Sequence, residues 1–199
     1  MNSVFLDSNV VANWILIKDS TNKFEELKKD EILKERLSNI SYSHILVEAL
    51  LGTDEYYSKV SNLALAEVFY VLYTEISSLR MYRLGIPMTL WPKLRKKYAS
   101  EEDLYLIKEI VSKYIKELKN KIGIVNDEID EEVYPKLVLD YRLRTHDAVL
   151  LTTSILNKCS WYITNDKEIV DLDKGRRKPK FSERFKISPE LPQNFLREL

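Results

Sequence analysis

Asp7, Glu67, Asp147 and Asp166 each sit in, or at the end of, an otherwise apolar segment. Asp7 closes Val4-Phe5-Leu6, and Glu67 interrupts the run from Leu63 to Leu72. Asp147 opens Ala148-Val149-Leu150-Leu151, and Asp166 follows Trp161-Tyr162-Ile163-Thr164. Carboxylates rarely enter apolar surroundings unless they are paired or hold a metal. Four of them on separate hydrophobic elements point to one shared cation site. Gathered together they repel one another, which raises some of their pKa values, and a divalent cation relieves that repulsion. An all-oxygen donor set without Cys or His pairs suits Mg²⁺ or Mn²⁺ rather than zinc. One or two such ions make hydroxide from bound water and shield the charge that builds on a phosphodiester under in-line attack. The chemistry expected is phosphate-ester hydrolysis.

Each acid also has a plain structural alternative. Asp7 and Asp166 are placed to cap the helices that follow them, and Asp147 is placed to complement a helix dipole. Glu67 is the hardest to account for structurally, and its alternative is a buried salt bridge to Arg142 or Arg144. Two neighbours fit the same site in supporting roles. Asn9, two residues after Asp7, offers a neutral oxygen or a hold on a water; Thr164, two before Asp166, lies on the same strand face and can orient a carboxylate. Turn and strand-end chemistry explains both residues equally well.

The elements that must position these residues can be read from short apolar runs and breakers. Residues 3–6 predict a buried strand, and Asp7-Ser8-Asn9 supplies turn and cap chemistry before a helix from Val10. Residues 19–58 are highly charged and helical in pattern around 24–27 and 45–51, with Gly52 as a stop. A strand over 57–61 leads to a long helix carrying Glu67, capped by Ser61 or Asn62 and broken at Gly85-Ile86-Pro87. Helices are expected over 101–120 and 130–141, strands over 121–125 and 160–164, and a possible edge strand over 185–187. Thr145 is expected to cap the helix bearing Asp147. Strands alternating with helices predict an α/β fold with a mostly parallel sheet. In such sheets ligands sit beyond the carboxyl ends of the strands, where Asp7 and Asp166 fall.

Bulk composition narrows the class. At 199 residues and 45% hydrophobic, a single domain with a real core is expected. No apolar stretch reaches the roughly 20 residues of a membrane span, and residues 1–7 lack the pattern of a signal peptide, so a cytoplasmic setting is the default. Cys159 alone excludes a disulfide framework and reads as a small buried hydrophobe. Lys+Arg and Asp+Glu balance at 31 each, so any contact with RNA must use local patches rather than an overall basic excess. The high charged fraction also resembles heat-adapted compositions.

The ordered segments Val4-Phe5-Leu6-Asp7-Ser8-Asn9-Val10, Leu65-Ala66-Glu67-Val68, His146-Asp147-Ala148 and Ile163-Thr164-Asn165-Asp166 resemble the acidic motifs of PIN-domain nucleases. The resemblance covers most of the chain. It implies a three-layer α/β/α sandwich and an Mg²⁺- or Mn²⁺-dependent endoribonuclease site held by Asp7, Glu67, Asp147 and Asp166. Many such relatives are toxins of toxin–antitoxin pairs, which implies an RNA substrate, a small antitoxin partner and a homodimer. The chain departs from compact toxin-type members by its length. On this reading it is one domain over 1–199, with a helical insertion at about 19–58 and an elaborated helical region at about 86–120.

Further substrate contacts are expected from Arg142 and Arg144 upstream of Asp147, from Arg176 and Arg177 downstream of Asp166, and from the aromatic–basic stretch Trp91 to Tyr98. His44 and His146 are read as structural, since a residue adjacent to Asp147 on a helix points elsewhere. The competing functional class is a non-catalytic RNA- or protein-binding module on the same fold. An RNA-processing or flap-type DNA nuclease is the other alternative. A haloacid-dehalogenase type would want an Asp where Asn9 stands.

Overall fold

The apolar runs around Val4, Val60 and Tyr162 are short and rich in β-branched and aromatic residues, as suits strands buried on both faces. In a computed structural model of the chain, which describes residues 2–20, 31–174 and 179–199, they form the centre of one sheet. The strands are β1 (Asn2–Leu6), β2 (Tyr56–Ser61), β3 (Gly123–Val125), β4 (Trp161–Ile163) and β5 (Ser188–Glu190). Their spatial order is β3-β2-β1-β4-β5 and every pairing is parallel. At the centre Phe5 stacks on Tyr162, ring centroids 5.6 Å apart and 9° from parallel.

Parallel neighbours need crossovers, and the described helices supply them. These are α1 (Ser8–Ser20), α2 (Glu31–Gly52), α3 (Asn62–Arg83), α4 (Trp91–Tyr98), α5 (Glu101–Lys119), α6 (Val133–Leu139), α7 (Thr145–Leu156), α8 (Lys167–Val170), α9 (Phe181–Phe185) and α10 (Pro192–Phe195). Strands step one way from β1 to β3, then the other way through β4 to β5. With right-handed crossovers, that reversal puts helices on both faces and makes a three-layer α/β/α sandwich. α1 packs on α2 and α3, α3 on α4 and α5, and α6 on α7. Within the charged stretch read as an insertion, α2 contributes Leu46, Val47 and Leu50 to the core; residues 21–30 of that stretch lie outside the described residues.

Local signals explain most boundaries. Ser61 caps α3, its hydroxyl accepting from the Ala64 amide at 3.1 Å. Gly85, at φ 68°, ends that helix by turning the chain back so that Ile86 N–H meets the Met81 carbonyl. Pro135 lies in the first turn of α6, where its missing N–H costs nothing. Two expectations need correction. The edge strand lies at Ser188–Glu190, not 185–187, because Phe185 ends α9 and Lys186 closes it in the left-handed region. Pro189 is tolerated there because the strand is an edge. Nor does Thr145 cap α7: the cap position is Arg144, with no side-chain bond, and Thr145 is the first helical residue.

Candidate functional site

β1 lies where the strand order reverses, with β2 on one side and β4 on the other. The connections leaving β1 and β4 diverge there and open a crevice at their carboxyl ends. Asp7 and Thr164 are the first residues past the two strands, and the Asp7 amide donates to the Ile163 carbonyl at 3.0 Å, joining the two exits.

The Asp7 side chain, only 4% exposed, is held by four donors. Oδ1 accepts from the Ser8 amide at 2.6 Å and the Ser8 hydroxyl at 3.3 Å. Oδ2 accepts from Thr164 Oγ1 at 2.6 Å and Asn9 Nδ2 at 2.8 Å. Burial still pushes its pKa up to about 6; the bonds from Thr164 and Ser8 oppose the rise, and the charges of Asp147 and Glu67 add to it. Thr164 Oγ1 also accepts from the Asp166 amide at 3.0 Å, so one hydroxyl joins two of the four acids. Asn9 departs from expectation. Its oxygen accepts from the Asn165 amide at 3.0 Å, which turns the amide nitrogen, not the oxygen, toward Asp7. Asn165 in turn donates to Ser43 Oγ on α2 at 3.0 Å.

The other three acids are freer. Asp147 lies half-buried in the first turn of α7 and makes no hydrogen bond among the described residues. Burial raises its pKa, as do the charges of Asp166 and Glu67, partly offset by His146 and Arg144. Glu67 leaves 25% of its side chain exposed on α3, and its ionic neighbour is His146 Nδ1 at 3.9 Å. The salt bridge to Arg142 or Arg144 offered as its structural alternative is not formed. His146 faces the acids rather than away from them, because the first turn of α7 stands over the crevice. Asp166 does cap α8, its Oδ1 accepting from the Glu168 amide at 2.8 Å. Arg144 is exposed beside Asp147, whereas Arg142 sits exposed at φ 58° in the turn before it. Arg176 and Arg177 lie outside the described residues.

Asp7 thus feels the charges of Asp147 and Glu67, and Asp147 those of Asp166 and Glu67. Among the described residues, however, no three His, Cys, Asp or Glu side chains stand close enough to hold an ion between them. The donors are oxygens, as a hard divalent cation requires. Asp147 and Glu67 are held by no hydrogen bond and Asp166 by one, so drawing them inward breaks little.

No family model matches the chain. An uncharacterized protein of Archaeoglobus fulgidus is 37% identical over 102 residues, covering 50% of this chain and 84% of that protein. The chain belongs to the family of that archaeal protein.

Two features of this family member escape a reading of its sequence. Tyr162 is fully buried on β4, on the same strand face as Thr164, and its hydroxyl has no hydrogen-bond partner of good geometry among the described residues. Burial holds its pKa well above the ordinary tyrosine value, and the charges of Asp7, Asp147 and Glu67 act on it in the same direction. The hydroxyl approaches Asp7 closely enough for that carboxylate to hold its proton; the alternation that pairs Tyr162 with Thr164 was its signal. The second feature is Trp91, read as a stacking residue but buried, its indole N–H donating to the Ile86 carbonyl at 2.8 Å.

Proposed function

We propose that the chain is a divalent-metal-dependent endoribonuclease, with Mg²⁺ or Mn²⁺ held by Asp7, Glu67, Asp147 and Asp166. One observation carries this reading. Acids from four separate segments lie around the carboxyl ends of β1 and β4, Asp7 and Asp147 feel the charges of their acidic neighbours, and among the described residues no lysine or arginine is paired with any of the four. Such an ion, when bound, neutralises charge on a phosphodiester and acidifies water. The chain's own groups do the rest. Thr164 and Asn9 fix the orientation of Asp7 Oδ2. Arg144, exposed beside Asp147, brings positive charge toward an incoming phosphate. RNA as the substrate, and a toxin-like role with a small protein inhibitor, follow from the motif resemblance to PIN-domain nucleases.

The test is cleavage of a labelled, structured RNA in Mg²⁺, Mn²⁺ or EDTA, comparing wild type with Asp7→Asn. Divalent-dependent cutting that disappears in the variant supports the enzyme; equal cutting by both removes Asp7 from the assignment. A second reading, a non-catalytic binding module, is favoured by the spacing of the acids and by the four donors already engaged on Asp7. It predicts RNA or partner binding indifferent to EDTA, with no Mn²⁺ uptake by calorimetry.

A further inference from the structure

α3 buries Ala64, Leu65, Val68 and Leu72 and turns the opposite face outward. Helical spacing collects Ala66, Phe69 and Tyr70 on that outer face, with Tyr73 half-buried at its edge and packed against the core. Phe69 is 37% and Tyr70 63% exposed, large values for aromatic rings on a well-packed helix. Glu67 borders the same face, one turn before Tyr70, and the small Ala66 beside it leaves the approach open. Tyr70 and the half-buried Tyr73 lie with ring centroids 6.3 Å apart, so Tyr70 is backed by a second ring on the side away from Glu67.

Charge complements these rings from one side. α4 packs on α3, contains no acidic residue, and carries Arg95, Lys96 and Lys97 in its last turn. Arg95 Nη1 donates to Tyr70 Oη at 3.3 Å, which sets a guanidinium beside the ring edge. In a chain of zero net charge such a local basic helix is a deliberate concentration. Exposed rings flanked by cations suit unpaired bases and their phosphates; bases in a duplex keep their faces stacked on each other and cannot use the rings.

We infer that the outer face of α3, with the basic end of α4, is a stacking platform that leads a single-stranded RNA segment to the crevice at Glu67. The inference rests on the ribonuclease reading for its substrate, and its test needs no cleavage. The probe is a fluorescein-labelled oligouridine of about twelve nucleotides, with binding to the full chain read by anisotropy in EDTA. The Phe69→Ser/Tyr70→Ser double variant is expected to bind about tenfold or more weakly, and Phe69→Tyr/Tyr70→Phe, which keeps both rings, to bind as wild type. Arg95→Gln/Lys96→Gln is expected to weaken binding and flatten its salt dependence. Both rings are exposed, and unchanged thermal melting establishes that the serine variant folds. Equal binding by wild type and the serine variant, or no binding by wild type, overturns the platform. So does a serine variant that turns a dimer into a monomer in light scattering while binding oligouridine normally, which would make the face a protein interface. A strand that is bound through the rings but never cut with Mn²⁺ keeps the platform and refutes the nuclease.

Discussion

Two groups of acids in this molecule have opposite surroundings. Along the α1, α2, α3 and α5 layer three carboxylates, Glu48, Glu117 and Asp103, each have a cation. Lys18 lies 2.9 Å from Glu48 and 2.5 Å from Glu117, and Arg80 grips both oxygens of Asp103, which also completes the capping box of α5. Burial alone would raise the pKa of Glu48, but bonds from Lys18 and Trp14 outweigh it and hold it low. Asp103 is lowered likewise against its burial by Ser100 and Arg80. At the β1–β4 crevice the sign reverses: Asp7 and Asp147 are raised, by burial first and by neighbouring acids after it. Where this chain uses acids to hold helices together, it supplies the countercharge itself. At the crevice no lysine or arginine among the described residues pairs with an acid, and that asymmetry separates a structural acid from a candidate ligand.

The largest expected effect that tests this contrast is on chemistry. Asp7→Asn or Asp147→Asn should lower divalent-dependent RNA cleavage at least about a hundredfold, measured by gel assay on labelled RNA, while circular dichroism stays native. The same Asp7→Asn change should raise stability at pH 8. Below pH 3.8 the carboxyl is protonated in both native and unfolded states. Between there and about 6 only the native state keeps the proton, so stability falls as pH rises, and above about 6 the whole cost is present. That cost is about 3 kcal/mol, less about 1 kcal/mol for the acceptor the amide loses. Urea titrations should therefore give a gain of about 2 kcal/mol at pH 8 that shrinks as pH falls and becomes a loss of about 1 kcal/mol below pH 3.8. A loss at pH 8 would mean that Asp7 is a structural acid like the paired ones. Asp103→Ala should do the opposite, destabilising by about 1.5 kcal/mol through the lost cap and the unpaired Arg80, with Mn²⁺ binding unaltered in calorimetry. Glu48→Gln should cost the least, under about 1 kcal/mol, because Lys18 keeps Glu117 and the Trp14 indole keeps an oxygen acceptor.

The central strands and the long helices were legible because their signals are local: apolar runs at Val4 and Val60, the Ser61 cap, the stops at Gly52 and Gly85. So were the positions of Asp7 and Asp166 at strand ends, which follow from where hydrophobicity stops. What could not be read depends on partners distant in the chain. The direction of the Asn9 amide is dictated by Asn165, and the neighbours of His146 by the placement of α7 over α3. The burial of Trp91 depends on a carbonyl at Ile86 that its basic surroundings do not suggest. β5 was misplaced by three residues because a three-residue edge strand containing Pro189 has almost no pattern of its own. The exposed rings of α3 were hidden by the same apolar run that made Glu67 conspicuous: without the fold, Phe69 and Tyr70 look as buried as Val68 and Leu72.

The joining of β1 to β4 also bears on how the molecule comes into being. Asp7 and Thr164 are 157 positions apart, so the hydrogen bond that fixes the carboxylate closes one of the longest loops in the chain. Closing such loops costs entropy before any contact rewards it, and topologies that depend on them fold slowly. During synthesis β1, α1 and the Glu67 helix emerge well before β4 does, and in that interval the segments of Asp147 and Asp166 are not yet there to complete the crevice. Whatever the assembled rim does to a substrate, a nascent chain cannot do it until nearly the whole sheet has formed.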